Sequence, residues 1–530
     1  VCSYGLIGFY YKDQRKYWIG GPVPTPFVRP SQASLKALVV TGVGDMAMLA
    51  GILVMYYYSG TLNILELYQT MPVWLPEIAN TEGMLVLLGV LLLAGPIGKS
   101  AQFPLHEWLP EAMAGPGPVS ALIHAATMVK SGVYLVARLL PIFYYGTWVI
   151  ESGEAEVFFH MTAWVGAITA IVAASQGMVA LELKKALAYS TVSQIGYMML
   201  GLGVAGLSPN LLVDGYTAGL FHLMSHALFK ACLFLCAGSV IHSVHSIYMN
   251  EMGGVRKYMR KTWLFMMIAA LSLMGLPGSS GFWSKDLVLM TTIEANLPLF
   301  VIGIVTAGIT AFYTVRMIGM VFYGPQSDNV QHLKRDGHTP HEAHPTMWIA
   351  CGVLAILILG TSVFGLSVEH LLHDGMQTTL VSGLSLPVQE AHGTLPHWLV
   401  PVLSALVLLG GAIPAYLLYI KRMYSAAEIV SGSHELSRLY DFLWKRWHID
   451  GFYNWFFVKG TSRLAQLVGN VIEDRFDDLV HNKLPTLVTR RSFAALQHMR
   501  TETGAIVTAV TYIMLVFVFL LFIFFLVSGG

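Results

Sequence analysis

The run LFHLMSHALFKACLFL carries His222, His226 and Lys230 at successive four-residue steps inside an otherwise apolar segment. On a helix that spacing puts all three on one face over about 12 Å. Histidine titrates near pH 6.5 and burial lowers a lysine by several units, so such a row changes charge near neutrality and passes protons through intervening water. Arginine in the same places stays charged and would not serve. The competing reading has the histidines bonded to backbone and Lys230 snorkelling to an interface. More apolar helix follows Lys230, which makes snorkelling awkward, and a proton path is the better expectation.

Other ionisable residues fall where lipid-facing residues belong, and each costs at least about 2.5 to 3.5 kcal/mol there unless a partner, a cavity or a function offsets it. They are Asp45 in ALVVTGVGDMAMLAG, Lys99, His124 and Lys130 in SALIHAATMVKSGVYLVAR, and Lys285 with Asp286. Glu182 and Lys184 read as a pair at the mouth of a segment that continues with Ser190, Thr191, Ser193, Gln194 and Tyr197. Those polar side chains either hold water or pack helices together. The loop with His332, His338, His341 and His344 lacks HExxH spacing and any cysteine, so a solvated loop is expected and no metal site. Cys2, Cys232, Cys236 and Cys351 read as ordinary membrane-helix cysteines, since CxxxC alone is a weak metal signal.

The elements that hold these groups follow from composition. Hydrophobic residues make up 55% of 530 and charged residues only 12%, with mean hydropathy +0.62, whereas soluble domains carry roughly 25% charge. The net charge of +1 argues against nucleic acid as a partner. About eleven spans are expected, near 36–58, 84–103, 118–140, 157–179, 186–206, 213–240, 262–291, 297–323, 347–367, 398–420 and 504–527, with residues 1–11 the tail of a twelfth. The longer polar connections fall at 12–35, 60–83, 324–346 and 368–397. Nothing alternates as barrel strands would, so the fold class is an all-α polytopic membrane protein.

Two spans are interrupted beside a lysine. In LLAGPIGKSAQFPLHEWLP, Pro96 and Pro104 bracket Lys99; in LMGLPGSSGFWSKDLVLM, Pro277 and Gly281 precede Lys285. Such breaks free backbone groups that protein or cavity water must satisfy, and paired broken helices point to inverted repeats around an ion path. Prolines that merely kink a helix are the plainer alternative. From 424 the texture changes: Leu464, Leu467, Val468, Val471 and Ile472 follow a three-and-four pattern ahead of a charged cluster. A lateral amphipathic helix is expected over 424–503, reaching about 80 Å from 447 to 500, followed by an anchoring span over 504–530. That length suits bracing neighbouring subunits. Chemistry-bearing spans then occupy 1–323, and further spans and loops 324–423.

The runs GKSAQFPLHEWLPEAMAGPGPVSALIHAATMVKSGVYLVARL, KKALAYSTVSQIGYMMLGLG, FHLMSHALFKACLFLCAGSVIH, MGGVRKYM and GLPGSSGFWSKDLVL closely resemble the subunit L family of NADH-quinone oxidoreductase, whose mitochondrial relative is NADH dehydrogenase subunit 5. The resemblance covers the whole chain. It implies an antiporter-like bundle and a proton-translocating subunit, itself without redox centres, in the membrane arm of a respiratory complex. Lys99 resembles the lysine of the family's first broken helix, His124 the histidine of the next span, Lys230 the central relay lysine behind His222 and His226, and Lys285 the terminal lysine beside Asp286. NAD, FMN, iron–sulfur clusters and quinone are expected in other subunits, and no cofactor in this chain; protons, the lipid bilayer and other membrane-arm subunits are the expected partners, in a prokaryotic inner membrane. The family's glutamate lies upstream of the CSY motif, and a chain that opens on Val1 inside VCSYGLIGFYY reads as a fragment lacking it. Gly42 stands where relatives carry the arginine that partners Asp45. The rivals are the large subunit of an Mrp-type cation/proton antiporter or of a membrane-bound hydrogenase, which share the KSAQFP and HAATMVK signatures. A different class altogether is a structural strut in which the lateral helix matters and the lysines do not.

Overall fold

The computed structural model describes residues 2–13, 29–388, 396, 398–469 and 513–519. Apart from one Glu182–Tyr248 bridge, every regular element among them is a helix. The chain divides into two compact units, Val1–His448 and Ile449–Gly530.

In the first unit α1 (Cys2–Ile7) precedes α2 (Pro30–Ser59), which opens on a proline and ends at Gly60 with φ 69°. Next come α3 (Ile64–Ala79) and α4 (Met84–Lys99), set at 118° to each other. The polar connection expected at 60–83 is therefore mostly helix. Pro72 and Pro76 disguise it, but Leu67, Met71, Trp74, Leu75 and Ile78 form one buried stripe. A short α5 (Trp108–Glu111) lies beyond the first break, and the span expected at 118–140 is two helices, α6 (Gly117–Ala125) and α7 (Met128–Trp148).

The long helices α8 (Gly153–Val179) and α9 (Leu183–Val204) pack against each other along their length. A Cβ on Gly166 would lie 2.6 Å from the Gly196 carbonyl, so only glycine permits this approach. Although α9 carries serine, threonine and glutamine, it is buried on every side, and its polar face looks inward onto α10 (Leu212–Val244). Then follow α11 (Arg260–Met274), α12 (Ser280–Ala295), α13 (Leu297–Phe322), α14 (Asp328–Arg335), α15 (Pro345–Val363), α16 (Gly365–Gln377), α17 (Leu399–Ala415), α18 (Ala426–Gly432) and α19 (His434–Trp444). Residues 365–377, assigned above mainly to a connection, form α16, whose Gly365 lies against the Trp283 ring.

Seven helices among the described residues are long and apolar enough to cross a membrane, or eight if the bent α3–α4 pair is one span. The other spans expected above have physical explanations. The 262–291 segment divides into α11 and α12, α9 is diluted by its polar face, and only 513–519 of the last span is described. The second unit contains α20 (Ile449–Tyr453) and α21 (Gly460–Val468), joined through a π-type stretch at Asn454–Lys459. The rest of the expected lateral helix, from 470 on, lies outside the described residues.

Candidate functional site

Both breaks are built from the residues that suggested them. At the first, α4 ends on Lys99, and the Gly98 carbonyl accepts from Trp108 Nε1 at 3.0 Å. Ser100 Oγ donates to the Val129 carbonyl of α7 at 2.8 Å, and α7 comes this close because Gly132 has no side chain to meet Pro96. At the second, Gly275 and Gly278 turn the chain with φ 81° and 84°, and Ser279 caps α12. Gly281 N donates to Ser272 Oγ at 3.0 Å, and the Leu273 carbonyl left free by the break accepts from Lys285 Nζ at 3.0 Å.

The titratable residues of α10 meet partners from three other helices. Lys230, fully buried, donates to Ser190 Oγ and, at 3.3 Å, to the Leu187 carbonyl of α9. His226 Nδ1 lies 2.7 Å from Lys130 Nζ of α7; with the ammonium donating, the ring carries its own proton on Nε2. One turn further, His222 binds Gln194 Oε1 of α9 at 3.2 Å and Ser284 Oγ of α12 at 3.0 Å. Ser284 precedes Lys285, whose ammonium sits 5.5 Å from the Tyr197 ring centre. Asp286 accepts from Ser404 Oγ at 3.0 Å. Of the polar residues of α9, Ser190 thus serves Lys230 and Gln194 serves His222, while Thr191 and Tyr197 bond backbone carbonyls. Lys130, a secondary candidate by sequence, stands in the middle of the file.

His124 is fully buried, its ring 4.6 Å from that of Phe234, and neither ring nitrogen has a hydrogen-bond partner among the described residues. Polar atoms left in this way mark where internal water belongs. Beyond Lys230 and His124, on the side of α10's C-terminus, a cavity of about 830 Å³ opens, lined by Glu182, Lys184, His242, His245 and Glu251 among others. The sequence pairing of Glu182 with Lys184 is corrected there. Glu182 pairs with Lys185, three residues along the same face, while Lys184 turns to the Gly115 carbonyl at 2.8 Å.

Lys99 and Asp45 form an ion pair at 2.7 Å, with side chains about one third exposed. They stand apart from the α10 file, and Lys99 is the partner of the Asp45 carboxylate. A second charged group was not seen in the sequence. Arg446 Nη1 donates to Glu107 Oε2 at 3.1 Å and lies 3.7 Å from Glu111, which also holds Lys36 at 2.7 Å; Arg446, Glu107 and Glu111 are almost wholly buried. Arg446, Trp447 and His448 all take left-handed backbone angles, and Trp447 Nε1 donates to Ser175 Oγ of α8 at 3.0 Å.

Residues 1–310 match the family described as NADH:quinone oxidoreductase/Mrp antiporter, transmembrane. The NAD(P)H-quinone oxidoreductase subunit 5 of Mesostigma viride chloroplasts is 36% identical over 520 residues, covering 95% of this chain and 72% of the relative. NADH-quinone oxidoreductase subunit L of Neisseria meningitidis is 33% identical over 551 residues, covering 96% and 74%. Among solved structures, the Mrp complex of a Dietzia species aligns with a TM-score of 0.62 at 21% identity, covering 92% of this chain and 48% of its own. An archaeal membrane-bound sulfane sulfur reductase aligns at 0.57 and 22%, covering 68% of each chain. These two likenesses concern the fold. The sequence matches settle kinship, and the chain belongs to the NADH:quinone oxidoreductase/Mrp antiporter transmembrane family.

Proposed function

We propose that this chain translocates protons as the subunit L-type member of a quinone-reducing respiratory complex, in a prokaryotic inner membrane. The supporting observation is the file Lys230, Lys130–His226, His222, Lys285, in which α7, α9, α10 and α12 each contribute polar groups to one buried row. Its relatives bear the names of oxidoreductase subunits, and their electron transfer, with NAD, FMN, iron–sulfur clusters and quinone, is assigned here to other subunits.

In this reading the Lys99–Asp45 pair responds to charge arriving from a neighbouring subunit. When Lys99 leaves Asp45 or loses its proton, the field along the file changes, and Lys230 and Lys285 take up and release a proton in turn. Moving one charge through 100 mV costs about 2.3 kcal/mol, comparable to one or two pKa units, so electrostatic coupling of buried lysines suffices. The cavity beside Lys184 supplies water at one end. The arm beginning at Ile449 contacts other membrane-arm subunits.

Lys230→Ala in the intact complex is the test. Expected are normal assembly and loss of proton pumping, measured by dye quenching in membrane vesicles. Parental pumping in that variant would sink the relay and leave the arm as a strut.

A further inference from the structure

A cavity lies near α10's C-terminus, beyond the Lys230 end of the file, and a path that moves protons across a membrane also needs an exchange point at the other end. Lys285 and Asp286 stand at the other end of the file and are only 4% and 7% exposed. Beyond them is α16, packed against both α10 and α12. It approaches through Gly365, and Trp283 Nε1 of α12 donates to the Ser362 carbonyl at 3.1 Å just before it.

This approach brings charged groups within reach of Asp286. Half-buried Glu369 of α16 is near enough to Asp286, His370, His373 and Asp214 for their charges to act on one another. His373 Nε2 lies 3.2 Å from Asp214 Oδ1 at the start of α10, and Nδ1 lies 3.8 Å from Asp374. The His373 and Asp214 side chains are 36% and 33% exposed. Asp214 and His242 are 28 residues apart on one helix, about 42 Å at 1.5 Å per residue, so this group and the cavity lie at opposite ends.

We propose that Glu369, His373 and Asp214 form a proton-exchange port between the Lys285–Asp286 end of the file and the aqueous phase, an inference that rests on the translocating function above. A proton leaving the Lys285 ammonium passes to the Asp286 carboxylate, then through water to the Glu369 carboxylate and to the His373 ring, and from the imidazolium to bulk water. Each donor returns to its starting form when the next proton arrives, and no other bond changes. Asp214 and Asp374 stabilise the imidazolium while it carries the charge. Run backwards, the same steps take a proton up.

The test uses vesicles containing the whole complex, with assembly checked by native electrophoresis. Glu369→Gln and His373→Asn should slow proton transport about tenfold, less than removal of a buried relay group because water partly replaces a surface one. Millimolar imidazole on both sides should restore transport in either variant but not in Lys285→Ala. Parental rates in both port variants, or a slowed rate that imidazole leaves unchanged, overturn the port. Should His373→Asn fail to assemble, Glu369→Gln carries the comparison. Lys230→Ala run in parallel separates the two ideas. If it pumps normally the translocation reading falls, and if it alone is impaired only the port falls.

Discussion

Lys130 Nζ and His226 Nδ1 lie 2.7 Å apart, joining α7 to α10 across 96 residues of sequence inside a region closed to solvent. The contact interrupts what would otherwise be a file on α10 alone. In the proposed relay, any proton moving between Lys230 and His222 along that helix would pass Lys130, whose charge and own proton would both act on the file.

Replacing Lys130 by Met should therefore reduce proton transport by about 10²-fold, the scale of losing a positioned proton-transfer group. Lys130→Arg keeps the charge but cannot cycle it, and should be nearly as impaired. Proton-to-electron ratios in vesicles measure both. A Lys130→Arg variant that pumps like the parent would reduce the residue to a fixed charge.

Asp45→Asn should separate stability from coupling. Both side chains of the Lys99–Asp45 pair are about one third exposed, so solvent screening limits its contribution to folding to about 0–1 kcal/mol. The melting temperature of the solubilised complex should hardly move. Proton transport should fall, because a neutral amide cannot hold the Lys99 ammonium by charge as the Asp45 carboxylate does.

The break before Lys285 predicts a steric asymmetry between two glycines. A Cβ on Gly281 would overlap the Ser272 carbonyl, whereas one on Gly360 meets nothing within 4 Å. Gly281→Ala should displace the start of α12, with the Lys285–Leu273 contact, and abolish transport; Gly360→Ala, in the last turn of α15, should be neutral or slightly stabilising. Transport assays with expression levels of both variants check the contrast.

How far such relationships can be read without coordinates depends on whether they lie along a helix or between helices. His222, His226 and Lys230 share a face by simple periodicity, and Pro96 and Pro277 marked the breaks. The polar face of α9 was visible as composition, but nothing in the sequence aligns Ser190 with Lys230 or Gln194 with His222. Lys130 and His226 meet for the same unseen reason, the relative height of two helices. Near a helix start one residue of phase is 100°, enough to choose Lys185 over Lys184 for Glu182. Glu369, His370 and His373 dilute α16 until it resembles a loop, so the groups that build the proposed port are those that concealed it. Arg446 was lost within a charged stretch.

That arginine supports a last prediction. Arg446 is only 4% exposed and its guanidinium is held by Glu107 and Glu111 beyond the first broken helix, so the residues just before Ile449 are tied to the segment that follows Lys99. Removing one partner of a buried pair leaves an uncompensated charge and costs about 3–5 kcal/mol, whereas removing both often costs much less. Arg446→Met and Glu107→Gln should each impair assembly, and the double variant should recover much of it. Three successive left-handed residues at Arg446, Trp447 and His448 add backbone strain that the ion pair holds in place. A double-mutant cycle on thermal stability isolates the coupling between the two side chains. Additive losses would mean that the guanidinium and the carboxylate act independently, and that the connection relies on Trp447 and its bond to Ser175 instead.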